Sequence, residues 1–157
     1  MSRASPKQQF DCPTCRELAQ GKLRAHVRPG KQALVANHGA RLTVEADCSV
    51  NIDKGLQPVR KPNEELKVFD YLVVSSETCD AHFVEVHPAS STGEVDVLIR
   101  KKAGTEQLMR RAGVEVRGEW HWLVDGEGRV NFKAGDKYGL RLRDAKIRQP
   151  QRTLKIP

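Results

Sequence analysis

The chain has 157 residues, a formal net charge of +7, 38% hydrophobic residues and only 5% aromatics. That length suits one domain with an aliphatic core rather than two large domains. No stretch approaches the ~20 apolar residues of a membrane span, and the N-terminal Met-Ser-Arg-Ala-Ser-Pro-Lys lacks the apolar run of a secretory signal. A membrane partner is therefore not expected. The positive surplus favours acidic partners, nucleic acid foremost. A cytoplasmic location is the expectation, and with it four reduced cysteines.

Residues 1–10 read as a loose, polar N-terminal segment, residues 11–132 as the core, and residues 133–157 as a basic C-terminal helix and strand, all within one domain. Cys12 and Cys15 form a Cys-x-x-Cys pair, which can offer two thiolates to zinc. A closed zinc site needs two more ligands, and His26, His38, Cys48 and Cys79 are scattered singly. The pair is therefore read as a helix start, capped by Asp11 or Thr14 with Pro13 in the first turn, and is expected to hold no metal. Leu18, Ala19, Leu23 and Val27 then share a helical face over residues 15–27, although Gly21 weakens it. A short helix is expected over 31–38. Residues 41–46 and 49–53 alternate polar with apolar as strands do, with a kink or bulge at Asp47-Cys48 between them. Residues 55–65, with two prolines and several charges, read as a loop.

Residues 68–74 are apolar on both faces, which implies a central strand covered on both sides. Asp70 interrupts that run, and an unpartnered carboxylate there would be costly. Residues 81–87 form a second strand in which Glu85 and His87 share one face and His82 points the other way. The short connection makes the two strands antiparallel neighbours. Ser91 and Glu94 match a capping box for a helix over 94–103, and Gly104-Thr105 is expected to end it and cap another over 106–112. Residues 119–124 read as a strand with Trp120, Trp122 and Val124 on one side, 125–128 as a tight turn and 129–132 as a return strand. The two tryptophans could stack on bases, but with so few aromatics core packing is the stronger reading. A helix over 136–145 and an edge strand over 153–156 complete the chain. The fold class is α/β (α+β), a central mixed β-sheet flanked by helices.

An Asp on one strand, an acid-x-residue element on the next and a following basic helix together resemble the PD-(D/E)XK, or restriction-endonuclease-like, superfamily. The resemblance covers about residues 15–125. It implies a nuclease fold in which Asp70 and Glu85 bind Mg²⁺ or Mn²⁺ and a basic residue positions water or offsets phosphate charge. His87 stands where the superfamily motif has lysine, with Lys101 or Lys102 of the next helix as replacements for the missing charge. The implied function is metal-dependent hydrolysis of nucleic-acid phosphodiesters. The alternative is a nuclease fold whose chemistry is lost and which binds nucleic acid or a protein, a second copy of the chain included. Either reading gives phosphate contacts to Arg100, Lys101, Arg110, Arg111, Arg141, Arg143 and Arg148.

Overall fold

The computed structural model describes residues 10–125 and 129–157. Its centre is a five-stranded mixed sheet in the order β1 (Val27–Pro29), β3 (Ala46–Asn51), β4 (Tyr71–Ser75), β5 (Ala81–His87) and β6 (Gly118–Val124). β2 (Leu42–Thr43) and β7 (Leu154–Lys155) form a separate parallel pair. The first four central strands pair antiparallel, and β6 lies parallel to β5. Among the described residues the α-helices are α1 (Pro13–Leu18), α2 (Ala36–Gly39), α3 (Ile52–Leu56), α4 (Gly93–Arg111) and α5 (Lys137–Asp144).

The expected antiparallel pairing of the two central strands is present, with Tyr71 opposite Val84 and Leu72 opposite Phe83. Alternation along β4 sends Leu72 and Val74 into one buried cluster and Tyr71 and Val73 into a second on the other face. The first cluster holds Val95, Leu98, Leu108 and Met109 of α4; the second holds Leu42, Leu154 and Ile156. Both faces are therefore covered, as the run of apolar residues requires. Trp120 stacks on Phe83 at 4.0 Å between ring centroids, and Trp122 is fully buried, so both tryptophans belong to the core.

Several elements differ from the reading of the sequence. The strand-like segments at 41–46 and 49–53 resolve into short β2 and continuous β3, with a register shift between Ala46 and Cys48 where a bulge was expected. Residues 52–56 form α3, capped by Asn51, whose side chain accepts the Lys54 N–H at 3.1 Å. The helical stretches expected over 15–27 and 31–38 shrink to α1 and α2, since Gly21 and Gly30 favour turns over helix. Residues 129–132 are not a strand, and the turn read at 125–128 lies largely outside the described residues, as does the loose segment over 1–9. The capping box is absent: Thr92 precedes α4 without a side-chain cap bond, and the Glu94 carboxylate turns to His87.

α4 also runs unbroken through Gly104-Thr105. Here the chain leading into β4 presses against the helix. A Cβ on Gly104 would sit 2.1 Å from the Lys67 carbonyl oxygen. Thr105 Oγ1 donates to the Lys101 carbonyl at 2.7 Å and accepts the Phe69 N–H at 2.8 Å. The glycine is a point of close approach, not a helix stop. Gly104→Ala should therefore lower stability by about 1–3 kcal/mol, the usual scale of overpacking, despite alanine's better helix propensity. A gain in the urea midpoint would contradict this docking.

The cysteines overturn the expectation of reduced thiols. Cys12 bonds Cys79 and Cys15 bonds Cys48. Residues 12 and 15 lie one helical turn apart, which presents both sulfurs to β3 and to the turn between β4 and β5. With these pairs closed, Cys12 and Cys15 offer no thiolates to zinc. Disulfides persist in oxidising surroundings, so the cysteines no longer argue for the cytoplasm. Among the described residues, no helix is long and apolar enough to cross a membrane.

Candidate functional site

The two carboxylates meet at the junction of β4 and β5. Asp70 lies immediately before β4, and its Oδ2 accepts the Val86 N–H at 3.0 Å, which draws the carboxylate across to the neighbouring strand. Glu85 sits mid-strand on β5 on the face that packs under α4, opposite Trp122 of β6 in the ladder. It is 1% exposed. α4 crosses this face, and from its middle Lys101 Nζ donates to Glu85 Oε1 at 2.7 Å.

Glu85 Oε2 is buried and has no hydrogen-bond partner among the described residues. Burial first, and then the negative charge of Asp70, push the Glu85 carboxyl up to about 8, against the opposite pull of Lys101. Two acids are thus forced together under one ammonium group, and the lone pairs of one oxygen go unused. Leaving a charged or polar group in that condition costs ~1–3 kcal/mol or more.

The remaining expected residues are placed differently. His87 shares the Glu85 face, but its Nε2 contacts the Glu94 carboxylate, and its carbonyl accepts the Trp122 indole N–H at 2.9 Å. Lys102, one residue beyond Lys101, points away. Its Nζ donates to the Ala145 carbonyl at 2.6 Å and lies 5.4 Å from the centre of the Trp120 ring. Of His87, Lys101 and Lys102, it is Lys101 whose side chain bonds Glu85.

Most of the arginines read as phosphate contacts have protein partners. Arg111 makes a two-pronged pair with Glu64 at 2.5 and 2.9 Å, which draws the Glu64 carboxyl down to about 2. Arg141 pairs with Asp96, Arg148 with Glu119 at 2.7 Å, and Arg143 with its neighbour Asp144 at 3.5 Å. Arg100 and Arg110 are exposed on α4. Two acids elsewhere are taken up within the protein: Asp47 accepts the N–H groups of Asp11 and Cys12 at the start of α1, and Asp53 pairs with Arg60 at 2.6 Å. A cleft of about 500 Å³ beside α4 is lined by Lys67, Arg100 and Lys101, which gives the inner lysine an outlet to solvent. Comparison with family models, curated proteins and solved structures gave no match to the chain.

A second group lies on the opposite face of the sheet. His82 Nδ1 and His121 Nε2 are 2.9 Å apart, and Glu119 reaches both. Alternation already set His82 opposite Glu85, and Glu119 and His121 on one face. What joins them is the parallel pairing of β5 with β6, which places His82 opposite Glu119 and Val84 opposite His121.

Proposed function

We propose that the chain is a metal-dependent nuclease-like protein that hydrolyses phosphodiester bonds of nucleic acid, in the manner of the PD-(D/E)XK superfamily. What carries the reading is the orphaned Glu85 Oε2, buried beside Asp70 and below Lys101. A hard divalent cation would take up those lone pairs and offset the burial and the Asp70 repulsion that raise Glu85. Asp70 and Glu85 match the one or two carboxylates from which Mg²⁺ or Mn²⁺ is commonly held, with water and phosphate oxygens completing the shell. When bound, such an ion supplies an activated water and charge neutralisation at the phosphate. Within the protein, Asp70 and Glu85 hold the cation, and Lys101 takes the motif lysine's part, orienting water or meeting phosphate charge. The order on which the resemblance rests, antiparallel strands carrying the two acids, then a helix and another strand, supports the reading.

The test is hydrolysis of plasmid, single-stranded DNA and RNA with Mg²⁺ or Mn²⁺. Divalent-dependent cleavage that disappears in Asp70→Asn is the expected result. Wild-type protein that binds these nucleic acids but cleaves none of them would shift the reading to a non-catalytic binding module.

A further inference from the structure

We infer that His82, Glu119 and His121 form a second, separate metal site that takes Zn²⁺, on the sheet face opposite the carboxylates. Three distances define the set: His82 Nδ1 to His121 Nε2 is 2.9 Å, His82 Nδ1 to Glu119 Oε2 is 3.6 Å, and His121 Nε2 to Glu119 Oε2 is 3.7 Å. Zinc bonds its nitrogen and oxygen ligands at ~2.0–2.2 Å, so ligand atoms around a tetrahedral ion lie ~3.3–3.5 Å apart. The observed spacings straddle that edge length, and the three atoms can close on an ion with shifts of a few tenths of an ångström.

The surroundings suit a cation rather than a structural cluster. The His82 side chain is only 5% exposed, and its Nε2 is buried without a hydrogen-bond partner among the described residues. Arg148 Nη2 takes the other Glu119 oxygen at 2.7 Å and lowers that carboxyl, fixing Oε2 toward the histidines as a ligand carboxylate is usually fixed. Arg148 is itself placed by its backbone N–H, which donates to the Trp120 carbonyl at 2.8 Å.

Three protein ligands leave a fourth position open, the pattern of zinc sites that admit water or substrate. That position opens toward a cleft of about 270 Å³ lined by Thr78, Asp80, Arg148 and Lys155. The His82-bearing face of β5 and the Glu85-bearing face point in opposite directions, so this site stands whether or not the carboxylate site is catalytic.

Zinc chloride titrated into the full chain with its disulfides intact, followed by calorimetry, should give one tight site per chain. His121→Ala and Glu119→Gln should each weaken it by about tenfold or more, the scale seen even for changes in the groups that orient ligands. Cobalt(II) in the same protein should give tetrahedral visible bands without a thiolate charge-transfer band. Glu119 is half exposed, so its variant keeps the test valid if His121→Ala misfolds. Absence of stoichiometric binding, affinity unchanged in Glu119→Gln, or binding that needs reduced cysteines would each overturn the assignment.

Discussion

Lys101→Ala should lower the kcat of the proposed metal-dependent cleavage by about 10²–10³-fold, the cost of removing one preorganised electrostatic donor, while Lys102→Ala and His87→Lys leave it nearly unchanged. Lys101 is the ammonium that touches Glu85. Lys102 caps the end of α5 through the Ala145 carbonyl, and His87 is engaged by Glu94. The same geometry yields a stability signature that needs no substrate. The Glu85 carboxyl is pushed up to about 8 from an ordinary 4.5, by burial and then by Asp70. Between those two pH values the folded chain keeps a proton that the unfolded chain has released. Stability of the metal-free protein therefore falls as pH rises through that window. Glu85→Gln mimics the protonated acid, keeps a carbonyl for Lys101 and does not titrate. It should abolish cleavage, yet exceed metal-free wild type in stability near pH 8 by on the order of 1–3 kcal/mol. Mg²⁺ should raise the melting temperature of wild type and not of the variant. Parallel melting-temperature curves for the two proteins from pH 5 to 8.5 would rule out a strained acid at this position.

The histidine pair contributes with the opposite sign. His121 is lowered to about 4 from 6.5, so between those values the unfolded chain binds the extra proton. Its share of stability is complete above pH 6.5 and is lost as pH falls toward 4. The Glu85 and His121 effects therefore oppose one another over an overlapping range, and the Gln variant separates them.

The parts of this architecture legible from the sequence are those that depend on local alternation. Residues 68–74 had to be covered on both faces because apolar side chains occupy both, and residues 81–87 had to present Glu85 and His82 oppositely. The short link between them sufficed for antiparallel pairing. Which helix residue meets Glu85 was not legible. Strand period puts His87 on the right face, but the rotation of α4 over the sheet decides that Lys101 reaches the acid and Lys102 does not. The Gly104-Thr105 pair misled for a related reason. Local propensity treats it as a stop, and the close contact with Lys67 and Phe69 outweighs that propensity. The alternation that puts Trp120, Trp122 and Val124 on one side of 119–124 leaves Glu119 and His121 on the other. Their partnership with His82 depended on β6 lying beside β5, a crossover through α4 that no local pattern encodes. Cysteine pairing was hidden because the bridges span 33 and 67 residues, and spacing alone does not give connectivity.

Reduction of the two disulfides should destabilise the fold by several kcal/mol and loosen the N-terminal segment first. α1 has only six residues, too short to persist as an isolated helix. It is held by the buried packing of Cys15 and Leu18, by Asp47 accepting two N–H groups ahead of it, and by the two bridges. Closing loops of 33 and 67 residues restricts the unfolded chain by about 4 kcal/mol each on the chain-entropy scale. The two effects do not add in full, because both bridges tether the same short helix and the second closes a chain already shortened by the first. Cys15→Ala/Cys48→Ala should cost more than Cys12→Ala/Cys79→Ala. Cys15 and Cys48 are both fully buried beneath α1, so their loss removes packing as well as the link, whereas Cys79 is partly exposed in the β4–β5 turn. Thiol titration of the unfolded, unreduced protein should find no free cysteine, and urea midpoints should fall in the stated order. Four reactive thiols together with a midpoint insensitive to reductant would remove the bridges from the stability of this fold.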